Sequence, residues 1–159
     1  MSARNEDLFH IGIVVKDFEA TCAQLGRTSG VEWSPTISTE VPIWTPDAGI
    51  RALQFRAAYS IAAPHLEIVQ SIGGTIMAET PGRPLHHLGY WSDDLAADSE
   101  RLERQGLPRV MCAVADGKMF GFAYHVTPDG LYQELVDRRA FPDWQGFLTG
   151  KFKFESKVL

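Results

Sequence analysis

The hydrophobic pattern begins with a short apolar run that leads directly into a helical stripe. Residues 9–15 are almost continuously apolar and β-branched, interrupted only by His10 and Gly12, which predicts a strand buried on both faces. Apolar side chains then recur at helical spacing behind Asp17, a residue type that caps helix N-termini. The start of the chain therefore predicts a strand and an amphipathic helix that ends by Gly30.

Three further strands are predicted in the first half. The stretch 31–46 contains three prolines, and it is interpreted as an irregular or edge strand because proline cannot donate to a ladder. Residues 50–59 and 65–71 are predicted as strands. Alternation in the last of these places Glu67 on the same face as Val69.

The second half of the chain repeats the order of the first. An apolar run at 85–91 precedes a second helical stripe, which glycine and proline end near residue 106. Strands are predicted at 110–114, 119–126 and 131–136, and a Pro-Asp-Gly turn precedes the last of them. Each half therefore predicts strand, helix, strand, strand, strand.

The two halves also match residue by residue. His87, Gly89 and Asp94 follow His10, Gly12 and Asp17 at a constant spacing of 77 residues, and Glu134 follows Glu67 at a spacing of 67. Each copy thus carries one histidine near its start and one glutamate near its end. A repeat of this kind predicts one structural unit built twice.

Turn-forming residues and changes in composition divide the chain into four parts. We predict a first module over residues 1–71, a linker rich in glycine and proline over 72–84, and a second module over 85–138. Residues 139–159 form a tail that is too apolar to be solvated, and we expect it to pack on the domain or across a dimer interface. Its aromatic residues are Phe141, Trp144, Phe147, Phe152 and Phe154.

Composition excludes several classes of partner. The net charge is −5 and no run is rich in Lys and Arg, so a nucleic-acid partner is not expected. No apolar run reaches the roughly 20 residues that cross a membrane, and the first residues have no apolar signal core. Cys22 and Cys112 lie far apart and form no metal or redox motif, which indicates free thiols in a cytoplasmic protein.

The repeated histidines and glutamates are candidates for a metal site. Each of His10, Glu67, His87 and Glu134 lies within an apolar strand, where an unpaired carboxylate is costly. Two imidazoles and two carboxylates suit a six-coordinate divalent ion with two positions left open, which catalysis requires. The other histidines, His65, His86 and His125, are interpreted as ordinary strand residues on the opposite face from their neighbours or in the core.

Four motifs, taken in order, resemble the vicinal oxygen chelate superfamily, which includes glyoxalase I, methylmalonyl-CoA epimerase, extradiol dioxygenases and the fosfomycin and bleomycin resistance proteins. The motifs are Phe9-His10-Ile11-Gly12-Ile13-Val14-Val15-Lys16-Asp17, His65-Leu66-Glu67-Ile68-Val69, Leu85-His86-His87-Leu88-Gly89-Tyr90 with Asp93-Asp94-Leu95, and Pro128-Asp129-Gly130 with Glu134-Leu135-Val136-Asp137.

The resemblance implies a fold and a ligand set. It implies an α+β fold in which two βαβββ modules form a curved, incomplete barrel around a metal site. The family's ligand positions fall on His10, Glu67, His87 and Glu134. They would hold one divalent ion, for which nickel, cobalt, manganese, zinc, iron and magnesium all remain open. We also expect a homodimer.

Among the chemistries of this family, the ligand set resembles that of the glyoxalase and epimerase types. We therefore expect a metal-dependent isomerase or lyase in which Glu134 or Glu67 transfers a proton next to a metal-bound carbonyl. One alternative is an extradiol ring-cleaving dioxygenase, although such enzymes resemble a site with one carboxylate. The other alternative is a non-catalytic, drug-resistance type of binding protein.

The expected substrate is a small hydrophobic or ring-bearing molecule. The residues of a glutathione clasp or a coenzyme A site cannot be identified in the sequence, whereas aromatic residues are frequent in the predicted strands. The pocket residues predicted on this basis are Trp44, Phe55, Tyr59, Trp91, Phe120, Phe122 and Tyr124.

Overall fold

The computed structural model describes residues 3–152. The first half forms the predicted sequence of one strand, one helix and three strands. Its elements are β1 (Leu8–Val15), α1 (Phe18–Ser29), β2 (Ile37–Thr45), β3 (Gly49–Tyr59) and β4 (His65–Gln70).

The second half repeats this order, as the sequence predicted. Its elements are β5 (Leu85–Ser92), α2 (Leu95–Arg104), β6 (Arg109–Ala115), β7 (Lys118–Val126) and β8 (Tyr132–Asp137). A short helix α3 (Trp144–Leu148) follows, and single turns of 3₁₀ helix lie at Asn5–Asp7 and Arg138–Ala140. The mixed α+β class and the curved sheet are therefore confirmed.

The eight strands form a barrel in the order β1-β4-β3-β2-β6-β7-β8-β5. The pairs β1–β4 and β5–β8 are parallel, and the other neighbours are antiparallel. The sequence predicted an incomplete barrel, and the hydrogen-bonded order closes it. The junction between β2 and β6 is narrow, with only Ile43↔Ala113 and Trp44↔Cys112 in register.

Strand β2 corrects the expectation of an irregular or edge strand. It pairs with β3 from Ile37↔Ala57 to Thr45↔Gly49 and has β6 on its other side. Pro42 is in register with Ala52 of β3 and lies just before the two residues that pair with β6. A proline whose nitrogen faces the side without a ladder partner removes no bond from the sheet.

The helices pack on the outside of the barrel and are capped as predicted. The carboxylates of Asp17 and Asp94 accept hydrogen bonds from the third residue after each, and Gly30 ends α1 in the left-handed conformation. Leu95 and Leu102 of α2 pack against the outer face of the second half, and Phe18 does the same in the first. The inward faces of the strands are thereby left to surround a central cavity.

Two connecting segments contribute to the interior. Met77, between β4 and β5, is fully buried against the barrel core. Phe141, Phe147 and Leu148 are buried in a cluster with Tyr59. Phe154, which we assigned to the apolar tail, lies outside the described residues. Among residues 3–152, no helix is long and apolar enough to span a membrane.

Candidate metal centre

The two repeated histidines meet where β1 pairs with β5. In this antiparallel register His10 lies opposite Gly89, and His87 lies opposite Gly12. A Cβ atom at Gly12 would overlap the ring of His87, and a Cβ atom at Gly89 would overlap the ring of His10. The repeated His-x-Gly pattern therefore has a steric cause, because each glycine makes room for the histidine of the other half.

Each of the two glutamates lies on a neighbouring strand, in register with one of these glycines. Glu67 on β4 lies beside Gly12, and Glu134 on β8 lies beside Gly89. One row therefore runs from Glu67 through Gly12 to His87, and its counterpart runs from Glu134 through Gly89 to His10. The four side chains converge within a single chain.

Their ligand atoms form a compact buried group. The Nε2 atoms of His10 and His87 are 3.0 Å apart. His10 Nε2 lies 3.0 Å from Glu134 Oε2 and 3.3 Å from Glu67 Oε2. His87 Nε2 lies 2.9 Å from Glu67 Oε2 and 3.3 Å from Glu134 Oε2. All four ligand atoms lie within 4.8 Å of one another.

These side chains can hold a divalent ion. Two ligand atoms at about 2.1 Å from one ion and at right angles to each other are about 3.0 Å apart, which is close to the observed His–His and His–Glu separations. Glu134 Oε2 is also buried, and although it lies 3.0 Å from His10 Nε2 it makes no hydrogen bond of suitable geometry among the described residues. Such an atom is costly unless a cation compensates it, so the donor set and its geometry both fit a metal.

Without an ion, the four groups compensate one another electrostatically. Burial lowers the pKa of His87, but the close contacts of its imidazole with the Glu134 and Glu67 carboxylates, and the charges of both, outweigh burial and raise this pKa to about 9. The same balance raises the pKa of His10. Burial raises the pKa of Glu67, and the charge and hydrogen bond of His10 reverse this and lower it strongly.

The two glutamates differ in their hydrogen bonding. Oε2 of Glu67 is hydrogen-bonded to Nε2 of His87 at 2.9 Å, whereas Oε2 of Glu134 makes no hydrogen bond of suitable geometry among the described residues. Burial and the charge of the neighbouring carboxylate raise the pKa of Glu134, and the close contacts with His10 and His87 lower it overall. Glu134 is therefore the carboxylate with the less satisfied oxygen.

A tyrosine accompanies each glutamate. Tyr59 lies opposite Glu67 in the β3–β4 pair, and Tyr124 lies opposite Glu134 in the β7–β8 pair. Burial, the carboxylate charges and a hydrogen bond to the facing glutamate raise the pKa of each tyrosine well above its usual value. Both hydroxyls therefore stay protonated at neutral pH and can donate to the carboxylates.

The carboxylates form one wall of an apolar cavity inside the barrel. The cavity volume is about 70 Å³. Phe55, Phe122 and Phe141 line it together with Met77 and Ala140, and the described lining residues include no lysine or arginine. The cavity therefore fits a small, uncharged, apolar group next to the four candidate ligands.

The predicted pocket residues are placed in two groups. Phe55, Tyr59, Phe122 and Tyr124 line the cavity. Trp44 instead packs on the outer cluster beneath α2. Trp91 stacks on Phe9 at a centroid distance of 3.6 Å, and Phe120 lies under the guanidinium of Arg139. Whether any of them contacts a substrate stays a prediction.

Sequence reasoning missed some residues that surround the site. Met77 comes from the segment interpreted as a linker, and Ala140 and Phe141 come from the tail. His86, interpreted as an ordinary strand residue, lies with its Nδ1 2.9 Å from Nδ1 of His87. The two consecutive histidines were the only sequence signal for this contact. The other two do behave as ordinary residues, since His125 bonds Ser99 and Leu107 and His65 bonds Ser60.

The chain resembles known proteins in family and in fold. A family model described as the glyoxalase/bleomycin resistance protein/dioxygenase superfamily matches residues 9–124. The chain belongs to this superfamily. The matched region contains His10, Glu67 and His87 and ends before Glu134. A comparison with curated protein sequences gives no significant match.

Solved structures share the fold at low sequence identity. Methylmalonyl-CoA epimerase from Streptomyces coelicolor, in complex with 2-nitronate-propionyl-CoA, is 19% identical with a TM-score of 0.57, covering 82% of this chain and 96% of the epimerase. Methylmalonyl-CoA epimerase from Mycobacterium tuberculosis is 20% identical with a TM-score of 0.56, covering 82% and 87%. A hypothetical protein from Bacillus halodurans is 14% identical with a TM-score of 0.55, covering 86% and 95%. At these identities the likeness is one of fold.

Proposed function

We propose that this protein is a metal-dependent isomerase or lyase of the glyoxalase or epimerase type. It would move a proton at the carbon next to a carbonyl group of a small, hydrophobic or ring-bearing substrate. The observation that carries the proposal is that two carboxylates at the wall of an apolar cavity converge with two buried imidazoles.

The four side chains would hold the ion, and the cavity would hold the substrate. A bound divalent ion supplies a Lewis acid that polarises the substrate carbonyl and lowers the barrier to loss of the adjacent proton. The apolar lining excludes water, which strengthens electrostatic interactions at the reacting atoms. Phe55 and Phe122, in edge contact at a centroid distance of 5.5 Å, favour a flat or ring-shaped substrate.

One of the two glutamates would act as the base. Its carboxylate takes the proton from the α-carbon, and the electron pair of the broken C–H bond moves into the carbonyl to give an enolate. The resulting carboxylic acid then returns the proton to carbon, so no oxidant or reductant is consumed. The site has two carboxylates, and one can remain a ligand while the other transfers the proton.

Glu134 is the stronger candidate for the base. Its Oε2 is buried without a hydrogen bond of suitable geometry in the described chain, whereas Oε2 of Glu67 is hydrogen-bonded to Nε2 of His87 at 2.9 Å. The missing hydrogen bond raises the basicity of the Glu134 carboxylate relative to that of Glu67. We therefore assign proton transfer to Glu134 and a holding role to Glu67.

The proposal is tested by measuring metal content and deuterium exchange in matched variants. Wild type, Glu134→Gln and Glu67→Gln would be loaded with nickel, zinc or manganese and incubated in D₂O with cyclic ketones, 2-oxo hemithioacetals and acyl-CoA thioesters. We expect exchange at the α-carbon in wild type and a loss of about 10²–10⁴-fold in Glu134→Gln, with a much smaller change in metal content. Glu79→Gln, a half-buried glutamate outside the site, is the control.

Three results would contradict the proposal in different ways. Wild-type exchange rates in both glutamine variants would exclude a carboxylate base. Absence of bound metal after incubation would favour a non-catalytic binding protein. Oxygen uptake with catechols and ferrous iron would instead identify a ring-cleaving dioxygenase.

A further inference from the structure

His86 occupies a bulge next to a candidate ligand. Along β1, Gly12 is paired with His87 and the next residue, Ile13, is paired with Leu85. His86 is therefore the extra residue of a β-bulge, a feature that re-aims side chains out of strict alternation. Its ring stacks on Tyr132 at a centroid distance of 4.6 Å and reaches the ring of His87.

His86 connects His87 to a backbone carbonyl. Nε2 of His86 lies 2.8 Å from the carbonyl oxygen of Ile76, and Nδ1 of His86 lies 2.9 Å from Nδ1 of His87. A carbonyl oxygen only accepts hydrogen bonds, so the proton of His86 belongs on Nε2. A neutral imidazole carries one proton, so Nδ1 of His86 is an acceptor and Nδ1–H of His87 is its donor.

This arrangement leaves Nε2 of His87 as the nitrogen whose lone pair can bind a metal. Nε2 is also the atom that faces Glu67 and His10. A hydrogen bond to the distal nitrogen of a ligating histidine fixes its tautomer and ring orientation. In most such cases the acceptor is a carboxylate, a carbonyl or a water, and here it is a second imidazole.

The first half of the repeat has no histidine equivalent to His86. Phe9 stands at the position that matches His86, and it is likewise the extra residue of a bulge, between Leu8↔Tyr90 and His10↔Gly89. Its ring packs edge-on against His10 at a centroid distance of 4.4 Å. Nδ1 of His10 is buried and, within residues 3–152, has no hydrogen-bond partner.

We infer that His86 is a positioning residue that holds His87 in the tautomer required for metal binding and thereby makes the two histidine ligands inequivalent. The inference rests on the metal site of the proposed function. It concerns the affinity of the protein for the ion and the tautomer of one candidate ligand, and it does not depend on which reaction follows.

The hydrogen bond itself can be observed by nitrogen NMR. In zinc-loaded protein with ¹⁵N-labelled histidine, we expect a proton on Nε2 of His86, none on its Nδ1, and a scalar coupling between the Nδ1 nitrogens of His86 and His87. Metal-free protein should show the same coupling, because the bond does not involve Nε2 of His87. A proton on Nδ1 of His86, or no coupling in either form, would overturn the inference.

Variants at position 86 test the effect on the metal. His86→Phe gives the second half the residue that the first half has, and His86→Gln keeps an acceptor oxygen. Zinc affinity measured by chelator competition should fall about 10–100-fold in His86→Phe and recover most of this loss in His86→Gln. His65→Phe is the control, because His65 is also half-buried and bonds a carbonyl, that of Ser60.

The outcomes separate this inference from the proposed function. Wild-type zinc affinity in a folded His86→Phe protein, or an equal loss in His65→Phe, would overturn the positioning role. If the variants show the expected order of zinc affinities but the wild type shows no deuterium exchange, the proposed reaction would be overturned and the role of His86 would remain supported. Failure of the wild type to bind zinc would overturn both.

Discussion

Gly12 lies directly opposite His87 across the β1–β5 pair, and a side chain at this position would overlap the imidazole of His87. Gly89 stands in the same relation to His10. Each half of the repeat therefore supplies both a candidate ligand and the space for the candidate ligand of the other half. A metal site of this kind depends on both copies.

Gly12→Ala and Gly89→Ala should each disrupt the metal site. The added methyl group displaces an imidazole that β-sheet packing holds on all sides, so we expect loss of bound metal and a decrease of about 1–3 kcal/mol in the free energy of unfolding. Elemental analysis and urea denaturation measure the two effects. Gly73→Ala, with open space around it, should change neither; retention of metal by Gly12→Ala would show that the ring can move aside.

The stability of the metal-free protein should fall as the pH rises from about 6.5 to 9. The pKa of His87 is raised from 6.5 to about 9 in the folded protein. The contribution of His87 to the free energy of unfolding is therefore complete below pH 6.5 and is lost as the pH rises through 9. Burial lowers the pKa values of His86 and His125. These two histidines therefore reduce stability only when the pH falls below about 6.5.

Denaturation of metal-free protein at several pH values checks this expectation. The free energy of unfolding should decrease by on the order of 1–3 kcal/mol across this range. The decrease should disappear in His10→Gln/His87→Gln protein. A stability that is constant or rises from pH 6.5 to 9 in wild type would contradict the ion-paired cluster.

The tyrosines opposite the glutamates can identify the base. Tyr124 faces Glu134 and Tyr59 faces Glu67 across paired strands, where each hydroxyl can donate to the carboxylate, and loss of a hydrogen bond to a carboxylate raises its pKa. If Glu134 is the base, the acidic limb of the kcat/KM profile should move upward by about 1 pH unit in Tyr124→Phe. Tyr59→Phe should leave it in place, and the reverse result would assign the base to Glu67.

Ala140 should limit the size of the substrate. This residue is buried at the cavity wall, in the 3₁₀ turn that follows β8. Ala140→Leu should reduce the space available and raise KM for the larger substrates more than for the smaller ones, while zinc affinity stays unchanged. Ala48→Leu, at an exposed position between β2 and β3, is the control; an equal rise of KM for every substrate would place Ala140 outside the binding space.

The order of strands and helices could be predicted from the sequence, and so could the recurrence of histidine and glutamate at matched positions in the two halves. Both depend on local and repeated patterns. The apolar run around His10, the cap at Asp17 and their copies at His87 and Asp94 follow from short-range periodicity and hydrogen bonding. The face of Glu134 also followed, since strict alternation places it with Val136, and both line the cavity. The predicted homodimer stays a prediction.

Only the tertiary structure determined which residues meet. Strand alternation placed His86 on the opposite face from His87, and a one-residue register shift against β1 brings the two rings together. Trp44 was assigned to the pocket by residue type, but it faces the outer cluster, and Phe141 and Ala140 reach the cavity from a segment with no repeated counterpart. Bulges, barrel closure and the docking of a terminal segment depend on contacts between residues far apart in the chain, whereas periodicity reports only on neighbours. The sequence therefore determined the candidate ligands, and the register between the two halves determined how they are arranged and supported.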